Sequence, residues 1–114
     1  MQDRWVTARE RVIGGTVERF YDDETGYLRW VSANPAGYVV NCYKASRLYG
    51  PYMLHRADCF TVNTNDNRTG QNFTTSQFYK VCSRSRDELI KWADGERIQK
   101  GYADPIQRCA KCNP

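Results

Sequence analysis

Hydrophobic residues follow a helical spacing in one early segment of the chain and a strand-like pattern directly after it. Residues 22–33 predict a short helix, because Asp22 or Asp23 can accept hydrogen bonds from the first turn. Pro35 prevents the helix from continuing. The expected buried face of this helix consists of Tyr27, Leu28, Trp30 and Val31.

Three segments then have the composition of β-strands. Residues 38–44 are mostly β-branched and aromatic, and residues 52–55 return after a turn around residues 46–51. Together these two segments predict a β-hairpin. Residues 78–82 predict a third strand.

The strongest helix pattern covers residues 83–93. Ser85 followed by Glu88 is a capping box, and Leu89, Trp92 and Ala93 fall on one face. Gly95 weakens the helix beyond that point.

The other segments are less regular. Residues 1–21 are mixed and basic, and Trp5, Ala8 and Val12 stand at helical spacing before Gly14 and Gly15. Residues 61–77 are rich in hydroxyl and turn-forming residues, which predicts a long surface loop.

The length and net charge of the chain indicate one small domain. The chain has 114 residues, and its 17 Lys and Arg against 13 Asp and Glu leave a net charge of +4. No apolar run approaches the roughly 18 residues that a membrane-spanning helix needs, and residues 1–5 contain no apolar core of a secretory signal. We therefore expect a soluble, cytoplasmic protein that does not enter a membrane.

The cysteines and the histidine provide the candidate chemistry. Five cysteines without a secretory signal favour metal ligands over disulfides. His55 and Cys59 form an H-x3-C motif, and Cys109 and Cys112 form a C-x2-C motif. One imidazole and three thiolates make a closed tetrahedral zinc set, which is typical of a structural site.

Other assignments of these residues remain open at this point. The C-x2-C motif is also found in redox pairs. Cys42 and Cys82 lie inside apolar strands and are expected to be buried in the core. If either of them binds the metal, His55 is the ligand that it replaces.

The order of these motifs resembles the zinc-binding domain at the N-terminus of Ada-type DNA alkylation-repair proteins. In that family a C-x3-C motif after a β-hairpin is followed by a strand, a helix and a closing C-x2-C with basic neighbours. Residues 55–59 and 107–114 stand at these places, and the resemblance covers roughly residues 38–114. More loosely, residues 26–28, 37–41 and 54–59 resemble small modules attached to bacterial nuclease-like proteins.

The resemblance implies a scaffold and an affinity for DNA. In the Ada family the first cysteine of the C-x3-C motif accepts a methyl group, and here that position is His55. Methyl transfer is therefore not expected, and the segment between the two motifs is also longer here. The basic residues expected to contact DNA are Arg56, Arg84, Arg86, Arg108 and Lys111.

These patterns together predict a small zinc-stabilised α+β domain with a β-hairpin, a third strand and a packed C-terminal helix. We expect an N-terminal helical segment at residues 1–37 and an Ada-like zinc-binding domain at residues 38–114. The expected function is non-catalytic DNA binding in a bacterial or phage repair, restriction or defence system.

An alternative function is a structural or protein-interaction zinc module that does not bind nucleic acid. No small-molecule substrate is expected. An enzyme is not expected either, because the chain contains no Gly-rich phosphate loop, nucleophile elbow or H-E-x-x-H motif.

Overall fold

The computed structural model describes residues 12–14, 16–45, 52–63 and 72–114. Three helices occur in these ranges, α1 (Glu24–Ala33), α2 (Phe60–Asn63) and α3 (Arg86–Lys100). The described strands are β1 (Val12–Gly14), β2 (Val17–Phe20), β3 (Tyr38–Tyr43), β4 (Met53–Arg56), β5 (Phe78–Ser83) and β6 (Gln107–Arg108). None of these helices is long and apolar enough to cross a membrane.

The strands form one sheet in the order β1-β2-β5-β3-β4-β6. All neighbouring pairs are antiparallel except β4 and β6, which are parallel. The predicted hairpin is confirmed, since Val39 pairs with His55 and Val40 with Leu54. β5 is inserted between β2 and β3, so the third predicted strand lies at the centre of the sheet.

Each face of the sheet carries its own hydrophobic core. Successive side chains of a strand point to opposite faces, so Val39 and Cys82 pack with α1 while Val40 and Cys42 pack with α3. Cys42 and Cys82 are both fully buried, which confirms that they belong to the core. The structure is therefore a small α+β domain with helices on both faces of a mostly antiparallel sheet.

The first helix follows its prediction with one exception. Asp23 caps it by accepting a hydrogen bond from the Gly26 N–H at 3.1 Å. A Cβ atom at position 26 would lie 2.5 Å from the Asp23 carboxylate, so a larger residue there would require that carboxylate to shift. Tyr27 and Val31 are buried as expected, but Leu28 is 38% exposed and does not belong to the buried face.

The second long helix extends further than predicted. The Ser85 hydroxyl accepts a hydrogen bond from the Glu88 N–H at 3.2 Å, whereas the Ser85 N–H donates to the Ser83 hydroxyl. α3 continues past Gly95 to Lys100, because Gly95 is exposed and removes no packing contact. Gly101 ends the helix in the left-handed conformation, at φ 79°.

The N-terminal part differs from the predicted helical segment. Val12 lies in β1, a strand, although the sequence placed it in a helix; residues 1–11 lie outside the described ranges. Glu18 of β2 pairs with Cys82 of β5. The sheet therefore continues across residue 37, where the sequence predicted a domain boundary.

The predicted surface loop at residues 61–77 is wrong at its start and only partly correct at its end, where residues 72–77 form neither helix nor strand and residues 72 and 75–77 are exposed. Residues 61–63 belong to α2, and Phe73 and Thr74 are buried. The Glu24 carboxylate accepts hydrogen bonds from the backbone N–H groups of Phe73 and Thr74, both at 2.8 Å, and from the Thr74 hydroxyl at 3.0 Å. One acidic side chain of α1 thus attaches this segment to the core; residues 64–71 lie outside the described ranges.

Replacing this carboxylate should destabilise the domain. Glu24→Ala leaves two backbone N–H groups without their acceptor, and each unsatisfied buried group costs about 1–3 kcal/mol. Glu96→Ala is the matched control, because Glu96 makes only a 3.8 Å surface pair with Lys100, typically worth about 0–1 kcal/mol. Urea unfolding measures both variants, and an equal loss in the two would contradict this role of Glu24.

Candidate metal centre

The four predicted ligands lie together in the folded chain. The ligand atoms of His55, Cys59, Cys109 and Cys112 are all within 4.8 Å of one another. His55, Cys59 and Cys109 are buried, and Cys112 is partly exposed. Neither Cys42 nor Cys82 belongs to this cluster, so neither replaces His55.

The parallel pairing of β4 and β6 brings the two motifs together. Met53 is paired with Gln107 and Leu54 with Arg108. The Cys109 N–H donates to the Leu54 carbonyl at 2.9 Å, which fixes the C-x2-C turn beside His55. The ligands are thus placed by main-chain hydrogen bonds at the edge of the sheet.

The C-x2-C turn directs backbone N–H groups at a sulfur atom. The backbone N–H groups of Cys112 and Lys111 act on the Cys109 thiol and oppose the rise in its pKa that burial causes. The Asn113 N–H donates to the Cys109 carbonyl at 2.9 Å, and Asn113 adopts the left-handed conformation with φ 49°. Asparagine is among the few non-glycine residues that tolerate this conformation well. The turn therefore favours a negatively charged sulfur at Cys109.

The other ligand loop is equally well fixed. The Cys59 N–H donates to the Arg56 carbonyl at 3.0 Å, and the Cys59 carbonyl accepts from the Val62 N–H at 3.0 Å. Arg56 connects the two loops, because its backbone N–H donates to the Cys112 sulfur at 3.2 Å and its Nε donates to the Cys112 carbonyl at 3.0 Å.

Thr61 is a site residue that the sequence did not reveal. Its Oγ1 lies 3.0 Å from the Cys59 sulfur and 3.4 Å from Nδ1 of His55. A hydroxyl that accepts from Nδ1–H and donates to the sulfur leaves Nε2 of His55 for a metal. The only sequence signal for Thr61 is its position two residues after Cys59. The sequence pattern places Thr61 in the surface loop.

The electrostatics of the cluster favour a bound cation. Burial, with a smaller contribution from the Lys80 charge, lowers the pKa of His55 to about 4, so the imidazole is neutral near pH 7. Burial alone would raise the pKa of Cys109, but the N–H groups of Cys112 and Lys111 bring it below its usual value. Burial raises the pKa of Cys112 to about 11, and the neighbouring thiol groups add to this. A cation would remove the mutual repulsion of the thiolates.

The donor set and its spacing fit a tetrahedral metal ion. Metal–sulfur bonds of about 2.3 Å place tetrahedral ligands about 3.8 Å apart, so the observed cluster needs only a small contraction. His55, Cys59, Cys109 and Cys112 would together fill all four positions. Such a site leaves no position for a reacting water and holds the chain together.

The predicted basic residues lie in two neighbouring groups. Arg56, Arg108 and Lys111 border the metal centre, since Arg56 contacts Cys112, Arg108 directly precedes the C-x2-C turn and Lys111 lies within it. Tyr38 pairs with both Arg56 and Ser83, which puts Arg56 and Ser83 two strands apart, about 10 Å, at the same end of the sheet. Arg84 and Arg86 follow Ser83 in the chain. We call the five residues Arg56, Arg84, Arg86, Arg108 and Lys111 the basic edge.

Comparisons of the chain with known protein families, with curated proteins and with solved structures find no match.

Substitution of the C-x2-C motif should remove the metal. Cys109→Ala and Cys112→Ala each leave three ligands, so we expect less than one equivalent of metal per chain and a lower melting temperature. Cys42→Ala is the matched control, because Cys42 is buried in the core and outside the cluster. Elemental analysis measures the metal; a full equivalent in either ligand variant would overturn the assignment.

Thr61→Val should weaken metal binding without abolishing it. Loss of a group that orients a ligand typically reduces metal affinity about 10–100-fold. Competition with a chromogenic chelator measures the affinity, and Thr61→Ser, which keeps the hydroxyl, should restore it. Unchanged affinity in Thr61→Val would show that the hydroxyl does not orient the ligands.

Proposed function

We propose that this chain is a non-catalytic DNA-binding module held together by one structural zinc ion. The observation that carries the proposal is the position of the basic edge, three of whose five residues border the Cys/His cluster while the other two follow β5 at the same end of the sheet. The metal would fix the C-x2-C turn, and the turn would present Arg108 and Lys111 to a phosphate backbone.

Zinc is the ion that suits these ligands. Soft thiolate donors with one imidazole in a tetrahedral arrangement are typical of structural zinc sites. In small domains such an ion contributes about 10–16 kcal/mol of apparent binding energy, more than the net stability of many domains. Zinc binding and folding of the C-terminal turn would therefore be linked.

The basic edge carries more positive charge than the metal centre needs. Three thiolates on a divalent ion leave a formal charge of −1, whereas the basic edge contributes five cations. Arg84, Arg108 and Lys111 are exposed and take part in no ion pair with the residues that the structure describes. Exposed cations without partners are available to neutralise phosphates and release counterions.

Contacts of this kind would bind DNA without acting on it. All four metal positions are taken by the protein, and the only histidine of the chain is one of the ligands. Phosphate contacts position a protein on DNA, whereas base contacts specify a sequence. The resemblance to Ada-type domains supports the same function and a role in a repair, restriction or defence system.

A salt titration of DNA binding tests the proposal. Removing three cations with Arg84→Gln, Arg108→Gln and Lys111→Gln should lower the slope of log affinity against log salt by about 2–3 on double-stranded DNA, since each phosphate contact contributes about 0.9. Fluorescence anisotropy at several salt concentrations gives this slope.

The control variant combines Arg19→Gln, Arg29→Gln and Lys91→Gln. These three residues are also exposed and change the net charge equally, but they lie outside the basic edge. Equal slopes in the two triple variants would show that overall charge, and not the basic edge, attracts DNA. Undetectable binding at low salt would favour the structural or protein-interaction alternative.

A further inference from the structure

A cavity lies beside the metal centre, on the face of the sheet that carries α1. Its volume is about 360 Å³, which falls in the range of small-molecule sites. His55 and Thr61 form the wall that it shares with the metal centre. Asn41, Lys80, Phe73 and Phe78 form much of the remaining lining.

Lys80 is an unusual residue for this position, because it is only 4% exposed. Its Nζ donates to the Asn41 side-chain oxygen at 2.7 Å and to the Phe73 carbonyl at 2.6 Å. An ammonium group has three N–H donors, so one is left without an oxygen or nitrogen acceptor among the residues that the structure describes. Within the described ranges no carboxylate forms an ion pair with it.

Asn41 adds further donors to the same wall. Its side-chain oxygen is engaged by Lys80, and its NH₂ group has no acceptor among the residues that the structure describes. Lys80 and Asn41 therefore offer N–H groups to the cavity, which Asn72 and Ser76 also line. A ligand that meets these N–H groups must bring oxygen or nitrogen acceptors.

The other part of the lining favours a flat ligand. Phe73 and Phe78 both line the cavity, and their ring centroids lie 5.8 Å and 5.6 Å from the Lys80 Nζ. Aromatic rings pack against planar groups in stacked or edge-on arrangements. A planar ring with carbonyl groups at its edge would reach both the phenylalanines and the N–H donors.

The charges around the cavity argue against a phosphate ligand. Burial lowers the pKa of Lys80 to about 8, and the nearby carboxylate of Glu24 opposes part of this shift. The single positive charge of Lys80 is thus balanced by that carboxylate and by a metal–thiolate centre with a formal charge of −1. The surroundings are thus not positive overall. A neutral ligand fits them better than an anion does.

We propose that this cavity binds a nucleobase, a neutral planar heterocycle with carbonyl and ring-nitrogen acceptors. The base would come either from a free nucleoside or from a nucleotide turned out of a nucleic acid strand. The cavity is separate from the basic edge, so this proposal does not depend on DNA binding by that edge. It adds a small-molecule ligand class that the sequence did not predict.

Nuclear magnetic resonance titration of the zinc-loaded full chain tests the proposal. Uridine, cytidine, adenosine and guanosine are added separately, and at least one should shift the side-chain NH₂ signal of Asn41 and the ring signals of Phe78. Lys80→Met should weaken that binding about tenfold or more, because methionine has a similar length but lacks the charged N–H donor. Lys44→Met is the matched control, since Lys44 pairs with Asp22 outside the cavity.

A second variant keeps the test decisive if Lys80→Met does not fold. Phe78→Leu preserves an apolar side chain at a partly exposed position and should also reduce nucleoside affinity, with zinc content unchanged. A short single-stranded oligonucleotide distinguishes the two sources of the base. Shifts with nucleosides support a free ligand, and shifts with the oligonucleotide alone support a base within a strand.

The proposal is overturned if neither nucleosides nor the oligonucleotide shift the Asn41 and Phe78 signals. It is also overturned if inorganic phosphate produces the same shifts, because the site is then one for anions. The triple variant of Arg84, Arg108 and Lys111 should retain the nucleoside shifts. Loss of DNA binding in that variant, with these shifts intact, would separate the cavity from the proposed function of the basic edge.

Discussion

The parallel pairing of β6 with β4 is the interaction on which the candidate site depends. β6 has only two residues, yet the hydrogen bonds from Gln107 to Tyr52 and from Cys109 to Leu54 align the end of the chain with the hairpin. Two ladder hydrogen bonds are weak by themselves, each worth about 1 kcal/mol. A metal ion held by both motifs would fix the same register with much more energy, because it would close the loop formed by residues 60–108.

The two faces of the sheet differ in composition. The face beneath α3 is an ordinary apolar core with Leu54, Val81 and Leu89. The opposite face carries the candidate metal ligands together with two buried or partly buried charged residues, Glu24 and Lys80. Both of these residues bind the segment around Phe73, Glu24 through the backbone N–H groups and Lys80 through the carbonyl. Polar groups at such positions are costly unless they are hydrogen-bonded, so this arrangement gives the segment a defined place.

The metal centre, the cavity and the basic edge share parts of the same short segments. His55 lines the cavity and belongs to the Cys/His cluster, while its neighbour Arg56 lies on the opposite side of the strand. Because successive side chains of β4 point to opposite sides, the cavity and the basic edge receive neighbouring residues of the same strand. A metal that orders this strand end would order both surfaces at once.

Local patterns in the sequence determined the parts of this protein that depend on neighbouring residues. The Asp23 and Ser85 caps, the β3–β4 hairpin, the buried Cys42 and Cys82 and the four ligand positions all follow from spacing and residue type. The place of β5 between β2 and β3, the burial of Phe73 and the role of Thr61 were decided by the tertiary structure. The position of β5 and the burial of Phe73 depend on partners far away in the chain, such as Glu24 for residues 73 and 74, and hydrophobic periodicity carries no information about such partners. The role of Thr61 depends on the turn of the chain after β4, which brings its hydroxyl to Cys59 and His55. Val12 shows the same limit, because pairing with Glu18 of β2 outweighed its helical spacing. Gly95 did not end α3, because it is exposed and removes no packing contact.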